Sequence, residues 1–115
     1  MAVIPFHSQF PVTAVYIVTG ANAGVGKELA QLLYGLNATV YLLARSADKT
    51  NAAVADIQRS QPRSAGRLVF LRLDLADLAT IRATADAFLA RESRLHVLFN
   101  NAGVLSAASD LVLTP

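Results

Sequence analysis

Three of the six glycines fall within seven residues of one another, in the segment Val18-Thr19-Gly20-Ala21-Asn22-Ala23-Gly24-Val25-Gly26-Lys27. That segment joins a wholly apolar run to one with helical spacing, so its backbone N–H groups and the start of a helix dipole converge where an anion, above all a phosphate, is stabilised. Gly20 permits the tight turn. Gly24 and Gly26 remove Cβ atoms where a pyrophosphate and a neighbouring strand must both come close. The spacing is not G-x-G-x-x-G. It also misses the phosphate loop of nucleotide triphosphatases, because position 21 is Ala and Lys27 is followed by Glu28 in place of Ser or Thr. Two further polar groups stand where apolar runs end: Asp74-Leu75, and Asn100-Asn101-Ala102-Gly103. His7 and His96 have no Cys or second His at ligand spacing, which assigns them structural roles and predicts no metal site.

The elements that must position these residues follow from the apolar pattern, which alternates between short continuous runs and helical spacing with turn residues at each switch. Strands are expected at 14–19, 39–43, 68–73 and 96–99. The first is apolar on both faces, as suits a parallel strand covered by helices on either side. A helix over Gly24–Gly35 presents Leu29, Leu32, Leu33 and Leu36 as one apolar stripe. A second starts after Ser46 as N-cap, carries Ala53, Val54 and Ile57, and must stop before Pro62. A third follows Asp77 as N-cap with Leu78, Ile81, Ala85, Phe88 and Leu89 on one side. The order β-α-β-α-β-α-β with right-handed crossovers gives a doubly wound parallel sheet of order 3-2-1-4. Its ligand crevice lies at the carboxyl ends of strands one and four, where the order reverses. Residues 1–13 read as an N-terminal lead, 14–104 as the folded unit and 105–115 as a C-terminal tail.

Composition narrows the classes. With 115 residues there is room for one domain, and 54% hydrophobic against 16% charged side chains excludes a disordered polyelectrolyte. The net charge of +2 is spread along the chain, which argues against a nucleic-acid partner. No run approaches the roughly 18 apolar residues of a membrane span, and the opening residues, cut by Pro5 and Pro11, lack the form of a signal peptide. The absence of Cys rules out disulfides and suits a reducing compartment, so a cytoplasmic protein is expected.

Thr19-Gly20-x-x-x-Gly24-x-Gly26, then Asp74-Leu75, then Asn100-Asn101-Ala102-Gly103, each at the carboxyl end of its own strand, resemble the short-chain dehydrogenase/reductase family over about residues 14–104. The wording of 19–27 and 98–104 is most similar to the retinol-dehydrogenase-like and fungal light-induced alcohol dehydrogenase-like members. The resemblance implies a Rossmann-like fold in which Gly20, Asn22, Gly24 and Gly26 form the pyrophosphate turn, with the Val25 backbone toward the phosphate and nicotinamide. It further implies that Asp74 bonds the adenine amino group with Leu75 beside the ring, that Asn101, Ala102 and Gly103 line the adenosine and ribose side, and that Asn100 ties strand four to its neighbours.

Charge decides between cofactors. An acid about twenty residues after the glycine turn serves the ribose 2′-OH of NAD, whereas this chain has Ala44-Arg45-Ser46 there and no acid before Asp48. The Arg45 fork, the Ser46 hydroxyl and the Lys27 charge favour NADP over NAD. The family's catalytic Ser and Tyr-x-x-x-Lys find no counterpart in these residues. Tyr41 and Arg45 have a similar spacing, but on a strand four residues span about 13 Å against about 5–6 Å on a helix. Ser106 and Ser109 follow strand four and read as loop residues. No catalytic residue is therefore assigned. The expectation is the NADP(H)-binding portion of an oxidoreductase acting on an alcohol or carbonyl group. The alternative is a non-catalytic NADP(H)-binding or interaction module, or a truncated gene product without activity. Strand four, placed at an edge, is expected to favour self-association.

Overall fold

The computed structural model describes residues 14–101. Its elements are β1 (Val15–Thr19), α1 (Gly24–Gly35), β2 (Thr39–Ala44), α2 (Ala47–Ser60), β3 (Arg67–Arg72), α3 (Leu78–Arg91) and β4 (Val97–Phe99). The strands form one parallel sheet of order β3-β2-β1-β4, as the alternation of elements predicts. The helix starts are chemically defined. Ser46 Oγ accepts from Lys49 N at 3.1 Å and Asp77 Oδ1 from Ala79 N at 2.9 Å, each satisfying an otherwise orphaned N–H of a first turn. At the opposite end of the sheet Asn37, at φ +69°, accepts from Ala65 N through its side chain at 2.9 Å, which locks the α1–β2 connection onto the α2–β3 loop.

The alternation along each strand divides the core into two layers. Val18, Val40 and Leu42 join Ala30 and Leu33 of α1 and Ile57 of α2 on one face; Val15, Ile17, Tyr41 and Leu43 gather around Phe88 of α3 on the other. Central β2 is buried at every position, which is why its run contains no charged residue. Tyr41 meets Phe88 edge-to-face at 4.8 Å and donates its hydroxyl to Glu92 at 2.7 Å, just past the end of α3. Burial first, then the bond to the Glu92 carboxylate and its charge, push the Tyr41 phenol up to about 12.

The helical stripes need correcting. On α1 the buried side chains are Ala30, Leu33 and Tyr34 beside Gly26, whereas Leu32 and the C-cap Leu36 are exposed; on α3 Thr84 and Phe88 are buried, whereas Leu78, Ala85 and Leu89 are exposed. A helix on a flat sheet buries an arc set by what lies beneath it, and apolar residues on its flank are covered only if a neighbour stands beside them. Among the described residues no helix is long and apolar enough to cross a membrane.

Candidate cofactor site

All four strands end at one edge, and the polar residues singled out from the sequence come directly after those ends. Thr19-Gly20 leaves β1, Arg45-Ser46 leaves β2, Leu73-Asp74 follows β3 and Asn100-Asn101 follows β4. The turn between β1 and α1 is fixed to both neighbours of β1. On one side Gly20 N donates to Leu43 O of β2 at 2.9 Å. On the other, Asn101 donates its backbone N–H to Thr19 Oγ1 at 2.9 Å and its side-chain amide to Gly20 O at 3.3 Å. The Thr19 hydroxyl also faces Phe99 O at 3.4 Å and Asn100 Oδ1 at 3.5 Å. A buried hydroxyl thus latches the end of β4 to the start of the glycine turn. The sequence motif contains Thr19, but motif spacing alone assigned it no such part.

The glycines divide the work. Gly20 and Gly24 hold φ of +65° and +58°, the left-handed region where a Cβ is penalised. Gly26 is needed for space: a Cβ there would stand 2.4 Å from Gly20 O and 2.6 Å from Asn101 Nδ2. The first turn of α1 therefore lies directly against the ends of β1 and β4. Its N-cap is Ala23, which has no side-chain hydrogen bond to the helix, so no side chain blocks the first-turn N–H groups from an anion. Val25 and Leu75 are exposed beside this edge, and Asn22 is half-buried in the turn.

Asp74 is oriented by its own loop. Its Oδ1 accepts from Ala76 N at 3.0 Å, while Thr80 Oγ1 accepts from Asp74 N at 3.3 Å and donates to Asp74 O at 2.9 Å. Arg45 is exposed, and among the described residues it forms no ion pair. Lys27 differs from the sequence expectation. Its Nζ donates to Asp56 Oδ2 at 2.8 Å, and Asp56 also pairs with Arg59. The bond from Lys27, then its charge, then the charge of Arg59 hold the Asp56 carboxyl below the ordinary carboxylate range. Lys27 thus braces α1 against α2. His96 is structural as expected: Val15 N donates to its Nδ1 at 2.9 Å, and its backbone N–H donates to Val15 O at 2.9 Å. Among the described residues no cluster of His, Asp or Glu suits a metal. Ala102, Gly103, His7, Ser106 and Ser109 lie outside the described residues.

A parallel sheet of this order, with a glycine turn latched between three strand ends, defines a Rossmann-like α/β class. The profile named "short chain dehydrogenase" matches residues 14–114, and the chain belongs to the short-chain dehydrogenase/reductase family. It is 58% identical over 92 residues to a short-chain dehydrogenase/reductase of Phomopsis amygdali, covering 80% of this chain and 28% of that protein. It is 44% identical over 91 residues to retinol dehydrogenase 12 of Bos taurus, covering 79% and 28% respectively. Among solved structures, a metagenomic short-chain oxidoreductase in complex with NADP shares 37% identity at a TM-score of 0.69, covering 79% of this chain and 39% of that one. The chain thus spans less than a third of the length of these two curated relatives.

Proposed function

We propose that the strand-end edge binds NADP(H), as the nucleotide-holding portion of an oxidoreductase for an alcohol or carbonyl group. The observation that carries this reading is the cradle at Gly26, where α1 lies so close to Gly20 and Asn101 that only glycine fits, beneath N–H groups left without a side-chain cap. In this reading the turn from Gly20 to Gly26 takes the pyrophosphate, and Asp74 and Leu75 take the adenine. Asn101, with Ala102 and Gly103, flanks the ribose. When bound, the nicotinamide supplies or accepts the hydride; the residues named here bind and orient it.

The choice of NADP rests on Arg45. It leaves β2 exposed and without an ion pair among the described residues, and the nearest acid after it, Asp48, lies in the first turn of α2. A guanidinium fork meets a 2′-phosphate with charge-assisted bonds of about 1.5–3 kcal/mol, or roughly 10- to 150-fold in affinity. The NADP-bound metagenomic relative supports this choice.

For this polypeptide alone, the geometry of its tyrosines favours binding without turnover. Tyr16 lies within β1, Tyr34 is buried on α1, and Tyr41 points away from the strand-end edge into its bond with Glu92. A carbonyl reductase needs a proton donor within about 2.6–3.2 Å of the substrate oxygen or one water away. The test is calorimetric titration of the chain with NADPH and NADH, repeated on Arg45→Asp. Tighter binding of NADPH, reduced or reversed by the substitution, is expected. Equal or tighter binding of NADH by the unaltered chain overturns the assignment.

A further inference from the structure

Among the described residues β3 pairs only with β2, so its outer side is open. Arg67 N donates to Ala38 O at 3.1 Å and Leu73 N to Ala44 O at 2.9 Å. By alternation Arg67, Val69, Leu71 and Leu73 turn their backbone groups toward β2, and Leu68, Phe70 and Arg72 turn theirs outward. The Arg72 carbonyl, facing out, is taken by the Thr84 hydroxyl of α3. The outward N–H and C=O groups of Leu68 and Phe70 meet no partner among the described residues. Such a row is a template for one more strand.

The surroundings of the edge restrict which strand fits. Leu71, Arg72, Thr80, Ala83, Thr84 and Ala87 line an open hollow of about 260 Å³ between β3 and α3. At the two ends of β3 stand Arg67 and Arg72, both exposed and neither in an ion pair among the described residues. Alternation puts Arg67 on the α3 face with Val69 and Leu71, and Arg72 on the opposite face with Leu68. Arg91, in the last turn of α3, joins Arg67, since both lie within electrostatic reach of the Tyr41 hydroxyl. The Glu92 carboxylate beside them accepts from that hydroxyl at 2.7 Å, so two arginines face a single acid.

A second copy of the chain does not suit this edge. Two-fold antiparallel pairing centred on β3 sets the Arg67 of each copy against the Arg72 of the other, two like-charge contacts directly across the ladder. A six-residue extended segment with an acid at each end reverses the sign of both contacts, whichever direction it runs. Its residue opposite Leu71 points to the α3 face and meets the hollow, which suits an apolar side chain. We propose that the β3 edge docks an extended segment of another polypeptide, acidic at both ends and apolar between, which adds as a strand along Leu68 and Phe70 with its carboxylates against Arg67 and Arg72. The same arginines thus repel a copy and select an acidic partner. This surface shares no residue with the proposed nucleotide site, and its occupancy is scored without nucleotide.

The probe is a fluorescently labelled peptide, Glu-Val-Leu-Thr-Val-Glu between short Gly-Ser flanks, which puts Val opposite Leu71 in either direction. The chain is titrated into it and followed by anisotropy, and hydrogen exchange is read on the chain. The acidic peptide should bind more tightly than its counterpart with Lys in place of both Glu, and should slow exchange at the Leu68 and Phe70 amides. This comparison needs no variant. Arg67→Glu and Arg72→Glu, both at exposed positions, should each weaken binding by roughly fivefold or more, and the doubly substituted chain should prefer the Lys peptide. Arg82→Glu, exposed on α3 and about 160° around the helix from Thr80 and Thr84, should leave binding within about twofold. Circular dichroism checks the folding of each variant. The proposal is overturned by no binding of the acidic peptide, by equal binding of the Lys peptide to the unaltered chain, by binding that leaves the Leu68 and Phe70 amides unprotected, or by an equal loss with Arg82→Glu.

Discussion

Gly24 and Gly26 stand two residues apart, yet replacing each with Ala should fail for different reasons. At Gly26 a Cβ would sit 2.4 Å from Gly20 O and 2.6 Å from Asn101 Nδ2. Ordinary contact begins near 3.4 Å, so about 1 Å of separation must be created. The Gly20 carbonyl cannot swing aside, because its residue is pinned to Leu43 O at 2.9 Å and its φ is +65°. The Asn101 amide can, at the loss of its 3.3 Å bond to Gly20 O. Overpacking at about 1–3 kcal/mol plus one hydrogen bond at about 0.5–1.5 kcal/mol gives a loss of roughly 2–4 kcal/mol. At Gly24 a Cβ meets nothing within 4 Å, but φ is +58°, so Ala costs only the left-handed conformation, about 1–2 kcal/mol. Asn, which tolerates that region, should recover part of this at position 24 and none at position 26. Urea unfolding monitored by circular dichroism measures both losses, and NADPH titration reports the cradle. Gly26→Ala should bind at least tenfold more weakly even where it remains folded. An equal or smaller stability loss for Gly26→Ala than for Gly24→Ala would refute the close-approach argument.

Tyr41→Phe keeps the edge-to-face contact with Phe88 and removes the bond to Glu92, for a loss of about 1–2 kcal/mol by urea unfolding at neutral pH. Because the folded pKa is raised to about 12 from an ordinary 10, this contribution is complete below pH 10 and is lost between pH 10 and 12. The wild type should therefore lose stability more steeply than Tyr41→Phe across that window, and parallel profiles would count against the assignment. The Asp56 carboxyl is held low by Lys27, so its contribution is present above the ordinary carboxylate pKa and fades as pH falls through the lowered folded value. Asp56→Asn should remove that acid sensitivity. Lys27→Ala should weaken NADPH and NADH binding alike, within about threefold; a selective loss of NADPH would return Lys27 to the phosphate.

Local signals made much of the fold legible. Runs apolar on both faces mark interior parallel strands, Ser46 and Asp77 announce helix starts through a single short side chain, and Pro62 forbids an extension of α2. The glycine turn was legible for the same reason, since backbone conformation and close approach leave a trace in residue type. Long-range partners leave none. Nothing near Lys27 in the chain announces Asp56, 29 residues on, and nothing near Thr19 announces the N–H of Asn101, 82 residues on. Each pairing depends on where one helix or strand end comes to rest beside another, a lateral placement that periodicity does not encode.

The misread stripes of α1 and α3 come from the same source and carry information. An apolar residue at helical spacing marks a candidate for burial, without saying which of the candidates the fold covers. At Ala30, Leu33 and Phe88 the sheet beneath does the covering. At Leu32, Leu36, Leu78 and Leu89 no described neighbour does so, although the spacing places them with the buried set. On α2 the two large apolar side chains, Val54 and Ile57, both lie with the core beneath the helix.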